Sequence, residues 1–125
     1  MSYLLVGIGG ALGAMGRHGV AQLLMRFGAT GFPYATLLVN VVGSFLIGVV
    51  IGYLAKNTPE WSQSARLLLA TGFCGGFTTF SAFSLDAISL YERGQFFAAA
   101  GYVGLSVVLS IAALALALAL TKGLL

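Results

Sequence analysis

Charged side chains are scarce in this 125-residue chain. They make up 7% of the residues, and 59% are hydrophobic, whereas an ordinary soluble domain carries about 25% charged residues. A small soluble protein leaves about a third of its unfolded surface in water and must cover it with polar groups. Three acidic and six basic residues are too few for that. The basic residues also occur singly rather than in clusters, which argues against binding nucleic acid.

Cysteine and catalytic groupings are equally scarce. A single cysteine, Cys74, excludes an intrachain disulfide, and no Cys/His set has the spacing of a metal site. The sequence contains no recognisable nucleophile–base pair and no phosphate-binding loop in a strand-to-helix context. We therefore expect neither an enzyme nor an organic cofactor.

Long apolar runs are what the chain has instead. A helix that crosses a bilayer needs roughly 20 mostly apolar residues. Short polar or Gly/Pro-bearing joints separate four runs of this kind, at residues 3–25, 34–55, 62–91 and 96–121. The sequence thus predicts an all-α integral membrane protein, with residues 1–125 forming one transmembrane domain. Its expected location is the cell (inner or plasma) membrane, with the lipid bilayer as a partner.

The charges that flank these helices are balanced between the two membrane sides. Orientation is usually set by an excess of Lys and Arg on one side. Here three basic residues fall on each side: Lys56, Arg66 and Lys122 against Arg17, Arg26 and Arg93. Such a chain can insert both ways, and two opposite copies can pair about a twofold axis in the membrane plane. The pattern predicts a dual-topology, antiparallel homodimer.

The third predicted helix contains residues 75–84, which read Gly-Gly-Phe-Thr-Thr-Phe-Ser-Ala-Phe-Ser. Paired glycines and β-branched threonines weaken a helix interior. Unwound backbone at that depth must be buried in protein or line a polar cavity. The stretch predicts a mid-membrane break, which is either a kink packed by small residues or a cation site made by freed carbonyls.

Polar and aromatic side chains recur within the spans, and each also has an ordinary packing role. An amide in the second helix and hydroxyls in the third and fourth can donate hydrogen bonds, and phenyl rings have positive edges. The candidate anion pathway comprises Asn40, Thr79, Phe80, Ser81, Phe83, Tyr102, Ser106 and Ser110. Arg17 in the first helix is either a snorkelling anchor or a basic residue that draws anions into a vestibule. The three acids lie near loops or span ends, where they suit neither a cation pathway nor a proton relay.

These residues carry a resemblance over nearly the whole chain. Residues 9–17 (GGALGAMGR), 36–43 (TLLVNVVG) and 75–84 resemble the Fluc (CrcB) fluoride channels. The resemblance implies an antiparallel homodimer that passes fluoride out of the cytoplasm passively and so lowers its toxicity. It also implies a structural sodium ion held by the backbone carbonyls of Gly75 and Thr78. By motif position, Phe80 and Phe83 face the pore, Arg17 lies at the vestibule, and Asn40 and the fourth-helix track belong to the pathway.

The chain departs from that family's pattern at three positions. Ala82 stands where a second threonine is common, His18 where an aromatic residue often follows the arginine, and Asp86 where a glutamate often stands. One alternative function is a small dual-topology, proton-coupled multidrug exporter, but the first helix lacks the acid that such coupling needs. A structural or assembly subunit is a further alternative, and it predicts no conductance.

Overall fold

The computed structural model describes residues 2–28, 31–57 and 60–122. Within these ranges the chain is helical throughout, with short turns and no strand. The helices are α1 (Ser2–Arg26), α2 (Tyr34–Asn57), α3 (Ser62–Ala65), α4 (Gly75–Phe77), α5 (Phe80–Glu92) and α6 (Phe96–Lys122), with a π-helical segment (Arg66–Cys74) between α3 and α4.

These elements group into four long segments whose ends fall within one or two residues of the sequence-based limits. Three of them are long and apolar enough, by length and composition, to cross a membrane: Tyr34–Asn57, Ser62–Glu92 and Phe96–Thr121. The helix α1 is long enough, but Arg17, His18 and Gln22 lower its mean hydropathy. The all-α, multi-pass membrane architecture is confirmed.

The segment Ser62–Glu92, hereafter the third segment, is not a uniform helix. Its backbone leaves the helix at Thr78 (φ −84°, ψ 158°) and Thr79 (φ −154°, ψ 126°), and α5 begins at Phe80. The sequence pattern attributed the weakness to Gly75 and Gly76 together with the threonines that follow, and the two glycines are helical. The interruption lies just after them, at the two β-branched residues.

Glycines bring the helices into close contact. A side chain on Gly9 or Gly13 of α1 would collide with backbone of the π-helical segment or α4, and one on Gly76 would collide with the backbone of Gly10. Small-residue faces of this kind let membrane helices pack backbone to backbone. Glycine therefore stands at position 76 inside a helix because α1 occupies the space that a larger side chain would need.

Most large apolar side chains lie on the outside of the single chain. Buried examples among the described residues include Val39, Phe77 and Leu90, whereas α6 exposes a long row of Val, Leu and Ile residues. A water-soluble protein rarely leaves so much contiguous apolar surface open. This surface suits lipid or another protein chain.

Candidate functional site

The side chain of Asn40 on α2 holds the interruption of the third segment. Its amide Nδ2 donates to the Thr79 carbonyl (3.1 Å), and its Oδ1 accepts from the Thr79 amide (2.9 Å). This pair satisfies both backbone groups of an extended residue, which a helix would otherwise satisfy. Each Asn amide carries two N–H donors, so one remains after the bond to Thr79. The sequence identified Asn40 as a donor but not its role in holding the backbone.

Thr79 begins α5 as its N-cap. Its hydroxyl Oγ1 accepts from the Ala82 amide (3.1 Å) and lies 3.2 Å from the Ser81 hydroxyl. A threonine at this position satisfies one of the amides that a helix start leaves without a partner. The helix therefore resumes at Phe80 because the Thr79 side chain caps it locally.

The amides of Thr79 and Ala82 do not bond the backbone carbonyls that they would bond in a continuous helix. In a continuous helix the Thr79 amide would bond the Gly75 carbonyl, and the Ala82 amide would bond the Thr78 carbonyl. Here the first amide bonds Asn40 and the second bonds the Thr79 hydroxyl. Gly75 and Thr78 are the two residues that the sequence assigned to a cation through their carbonyls. The chemistry of the donor set fits that assignment, because backbone oxygens suit a hard cation.

Arg17 contacts the same region from α1. Its Nε donates to the Gly76 carbonyl (3.3 Å), and the side chain is partly buried. In a continuous helix the Gly76 carbonyl would accept a hydrogen bond from the Phe80 amide. Here the basic side chain of Arg17 donates to that carbonyl, in α4. Arg17 is thus tied to the helix interruption and is absent from the lining of the cleft described next.

A cleft of about 320 Å³ runs between α2, the third segment and α6. It brings together six of the eight residues that the sequence assigned to an anion pathway: Asn40, Thr79, Phe80, Phe83, Ser106 and Ser110. Thr78 and Ser44 also line it, and Ile47, Val107 and Ile111 form its apolar wall. Ser44 is not among the residues that the sequence assigned to the pathway. Its position one helical turn after Asn40 was the available signal.

The hydroxyl of Ser106 has no hydrogen-bond partner among the residues that the structure describes. Ser106 is 5% exposed, and its Oγ is a buried polar atom without a hydrogen bond. A buried hydroxyl without a partner costs free energy, and a helical serine usually satisfies itself by bonding a carbonyl of the preceding turn. A ligand in the cleft would provide the missing acceptor.

Two aromatic rings line the cleft, and a third packs beside them. The rings of Phe80 and Phe83 lie 5.5 Å apart, and Phe83 packs on Tyr102 at 5.2 Å. Tyr102 is fully buried and donates through its hydroxyl to Asp86 (3.3 Å). Phe80 is 77% exposed on the single chain. Ser81 is also exposed, and neither Ser81 nor Tyr102 lines the cleft itself.

The cleft combines donors with an apolar wall. None of the residues that the structure places around it is acidic or basic, and no group of three or more His, Cys, Asp or Glu side chains suited to a metal occurs in the described ranges. Hydroxyls, an amide and ring edges present positive dipoles without a full charge. This arrangement can replace part of the hydration shell of a small anion.

Comparisons with known proteins agree with this chemistry. The family model described as "CrcB-like protein, Camphor Resistance (CrcB)" matches residues 4–118. A Granulibacter bethesdensis protein named "Fluoride-specific ion channel FluC" is 52% identical over 122 residues, covering 98% of this chain and 95% of the relative. Proteins of the same name from Rhodopseudomonas palustris (52%, 98% of each chain) and Rhizobium johnstonii (51%, 97% and 96%) are similarly close.

Proposed function

The chain belongs to the CrcB-like protein family, and we propose that, like the relatives named fluoride-specific ion channels, it passes fluoride passively across the cell membrane. Fluoride leaves the cytoplasm down its electrochemical gradient, which lowers its toxicity there. The protein is a channel and not an enzyme, and it uses no ATP. The proton-coupled exporter is not favoured, because the relatives carry the fluoride-channel name.

The observation that carries this function is the Ser106 hydroxyl, which is buried beside the cleft without an acceptor. Fluoride is a small anion and a strong hydrogen-bond acceptor, so it suits a donor that the protein leaves unpaired. The second N–H of Asn40 and the hydroxyl of Ser110 extend the same track. An anion moving along α6 would exchange one donor for the next without meeting a carboxylate in the cleft.

The rings of Phe80 and Phe83 contribute in a different way. A phenyl edge carries partial positive charge, and both rings line the cleft beside the amide and hydroxyl donors. Ring edges attract an anion weakly, which favours entry without trapping the ion. Conduction requires binding that is favourable but not too tight.

We propose that two copies pair in opposite orientations, with the interruption at Thr78–Thr79 near the middle of the membrane. Support comes from the balanced flanking charges and from the 77% exposure of Phe80 on the single chain. A pore-lining ring cannot remain open to lipid, so a second chain would cover this side. Each copy would then contribute one pathway.

A structural sodium ion on the twofold axis fits the carbonyls of Gly75 and Thr78, from which the amides of Thr79 and Ala82 are redirected. Those two carbonyls from each chain would hold it, and the ion would supply positive charge between the two pathways. The test replaces sodium with a bulky organic cation and then measures fluoride flux and dimer integrity. We expect both to decline. If sodium is removed and neither changes, the interruption is a packed kink and the sodium assignment is wrong.

The function itself is tested with purified protein in sealed liposomes loaded with potassium fluoride. An ion-selective electrode follows fluoride release after valinomycin relieves the charge build-up. We expect rapid release that does not depend on a proton gradient, and chloride-loaded vesicles should stay sealed. Release that requires a proton gradient would favour an exporter, and no release would favour an assembly subunit.

A further inference from the structure

The two loops at one end of the molecule are joined by Arg93. Its guanidinium donates through an Nη2 hydrogen to the Gly31 carbonyl (3.0 Å), and its Nε donates to the Ser89 carbonyl (3.4 Å). Gly31 has a φ of +90°, in the left-handed region that favours glycine. The Gly31 carbonyl can therefore face Arg93 only in a turn that most residues resist. Arg93 connects the end of α5 to the residues that precede α2.

The next residue in that turn, Phe32, contacts Tyr102, which packs on the cleft residue Phe83. Its ring meets Tyr102 edge-on, with centroids 5.6 Å apart and planes at 88°. The Phe32 ring also packs against Tyr34, with ring centroids 4.8 Å apart. Tyr102 is thus held between Phe32 and Phe83, and its hydroxyl meets Asp86. The Tyr102 ring has no solvent exposure.

We propose that Phe32 and Arg93 are positioning residues for the fluoride pathway. Arg93 fixes the turn at Gly31, the turn fixes the Phe32 ring, and that ring fixes the orientation of Tyr102 at the end of the donor track. Ser106 lies one helical turn beyond Tyr102 on α6, so a change in the tyrosine ring alters the approach to the unpaired hydroxyl. This inference rests on the proposed fluoride channel function.

Replacing Phe32 with leucine is the first test. Phe32→Leu keeps an apolar side chain in the turn but removes the ring edge against Tyr102. We expect fluoride release to fall about threefold to tenfold, the change that loss of one aromatic pair produces. Phe32→Tyr keeps the ring and should restore release. Phe97→Leu is the matched control, because Phe97 is 95% exposed at the start of α6. Equal release from wild type and Phe32→Leu would overturn the proposal.

A double variant separates positioning from a general loss of structure. Tyr102→Phe keeps the ring and removes the hydroxyl that Phe32 orients. If Phe32 acts through that hydroxyl, adding Phe32→Leu to Tyr102→Phe lowers release no further. Two independent, multiplying losses would contradict the proposal, as would a loss explained by a failure to form the dimer on size exclusion.

The contribution of Arg93 is measured against an arginine at the same end. Arg93→Gln removes the bond to Gly31 and one positive charge, and Arg26→Gln removes the same charge at the end of α1. We expect slower release from Arg93→Gln alone. Equal effects would assign Arg93 a purely electrostatic role and overturn its proposed positioning role. If the wild-type protein releases no fluoride, the proposed function fails instead, so the two failures remain distinguishable.

Discussion

At the scale of single residues, Asn40 combines two roles that are usually separate. It fixes the backbone of Thr79 through two hydrogen bonds and lines the cleft. The amide side chain of Asn40, within a mostly apolar second helix, predicted a hydrogen-bond donor at this position. It did not predict the reciprocal bonds, because they join residues 39 positions apart and depend on how α2 packs against the third segment.

Replacing Asn40 with aspartate tests both roles. Asn40→Asp cannot donate to the Thr79 carbonyl while ionised, and it adds negative charge to the cleft. We expect fluoride release to fall by about a hundredfold or more, since a bond to a charged group contributes about 1.5–3 kcal/mol and the new charge repels the ion. Asn57→Asp, the same change at the exposed end of α2, is the control. Undiminished release would reduce Asn40 to a packing residue.

Ser106 differs from Asn40, because its hydroxyl lines the cleft without bonding any group in the described part of the chain. Ser106→Ala should therefore leave thermal stability unchanged or slightly raised while slowing fluoride release about tenfold to a hundredfold, the effect of losing one hydrogen bond to an anion. Thr121→Val removes a hydroxyl from the same helix that bonds the Ala117 carbonyl (2.8 Å). That control should lower stability and leave release unchanged. A destabilised Ser106→Ala protein with normal release would show a structural hydroxyl.

At the scale of helices, the packing of α1 against the third segment depends on glycines, which have no side chain to hold the helices apart. A Cβ on Gly13 would collide with the Phe73 carbonyl and the Phe77 amide, and backbone cannot move aside as a flexible side chain can. Phe77 immediately precedes the interruption at Thr78–Thr79. The position of α1 therefore influences the cleft indirectly.

The prediction for this contact is a loss of stability and of conductance together. Gly13→Ala should lower the free energy of unfolding by about 1–3 kcal/mol, as overpacking does elsewhere, and should slow fluoride release. Gly19→Ala is the matched control on the same helix, because nothing lies within 4 Å of its Cβ position. Thermal unfolding in detergent, followed by light scattering, gives the comparison. Equal melting temperatures for the two variants would contradict the packing described for Gly13.

The sequence predicted the limits of the long helices more closely than it predicted the interior of the third segment. Apolar length and the Gly/Pro-bearing joints determine where a membrane helix begins and ends, and both are local properties. The π-helical segment Arg66–Cys74 and the helical state of Gly75 and Gly76 were not predicted. They depend on contacts with α1, and a propensity for each residue alone contains no information about a neighbouring helix.

At the scale of the whole molecule, balanced charges and open apolar faces support the proposed antiparallel pair. Single cysteines at Asn57 and Gly94, at opposite ends of the chain's fold, introduced into a Cys74→Ala protein, test this in intact cells. In intact cells a membrane-impermeant thiol reagent should label each position in roughly half of the molecules, and the other half should react only after the membrane is permeabilised. Adding an Arg beside Lys56 should bias the labelling, since an unbalanced chain takes one orientation. Labelling from one side only would exclude dual topology.

The reversal potential in a planar bilayer tests directly whether the protein forms a passive, fluoride-selective pore. With a tenfold fluoride gradient, symmetrical chloride and equal pH, we expect current to reverse about 59 mV from zero, as an ideal monovalent selectivity requires. The shift should keep its size when a pH difference is added. A reversal near zero, or one that follows chloride or the proton gradient, would contradict the account.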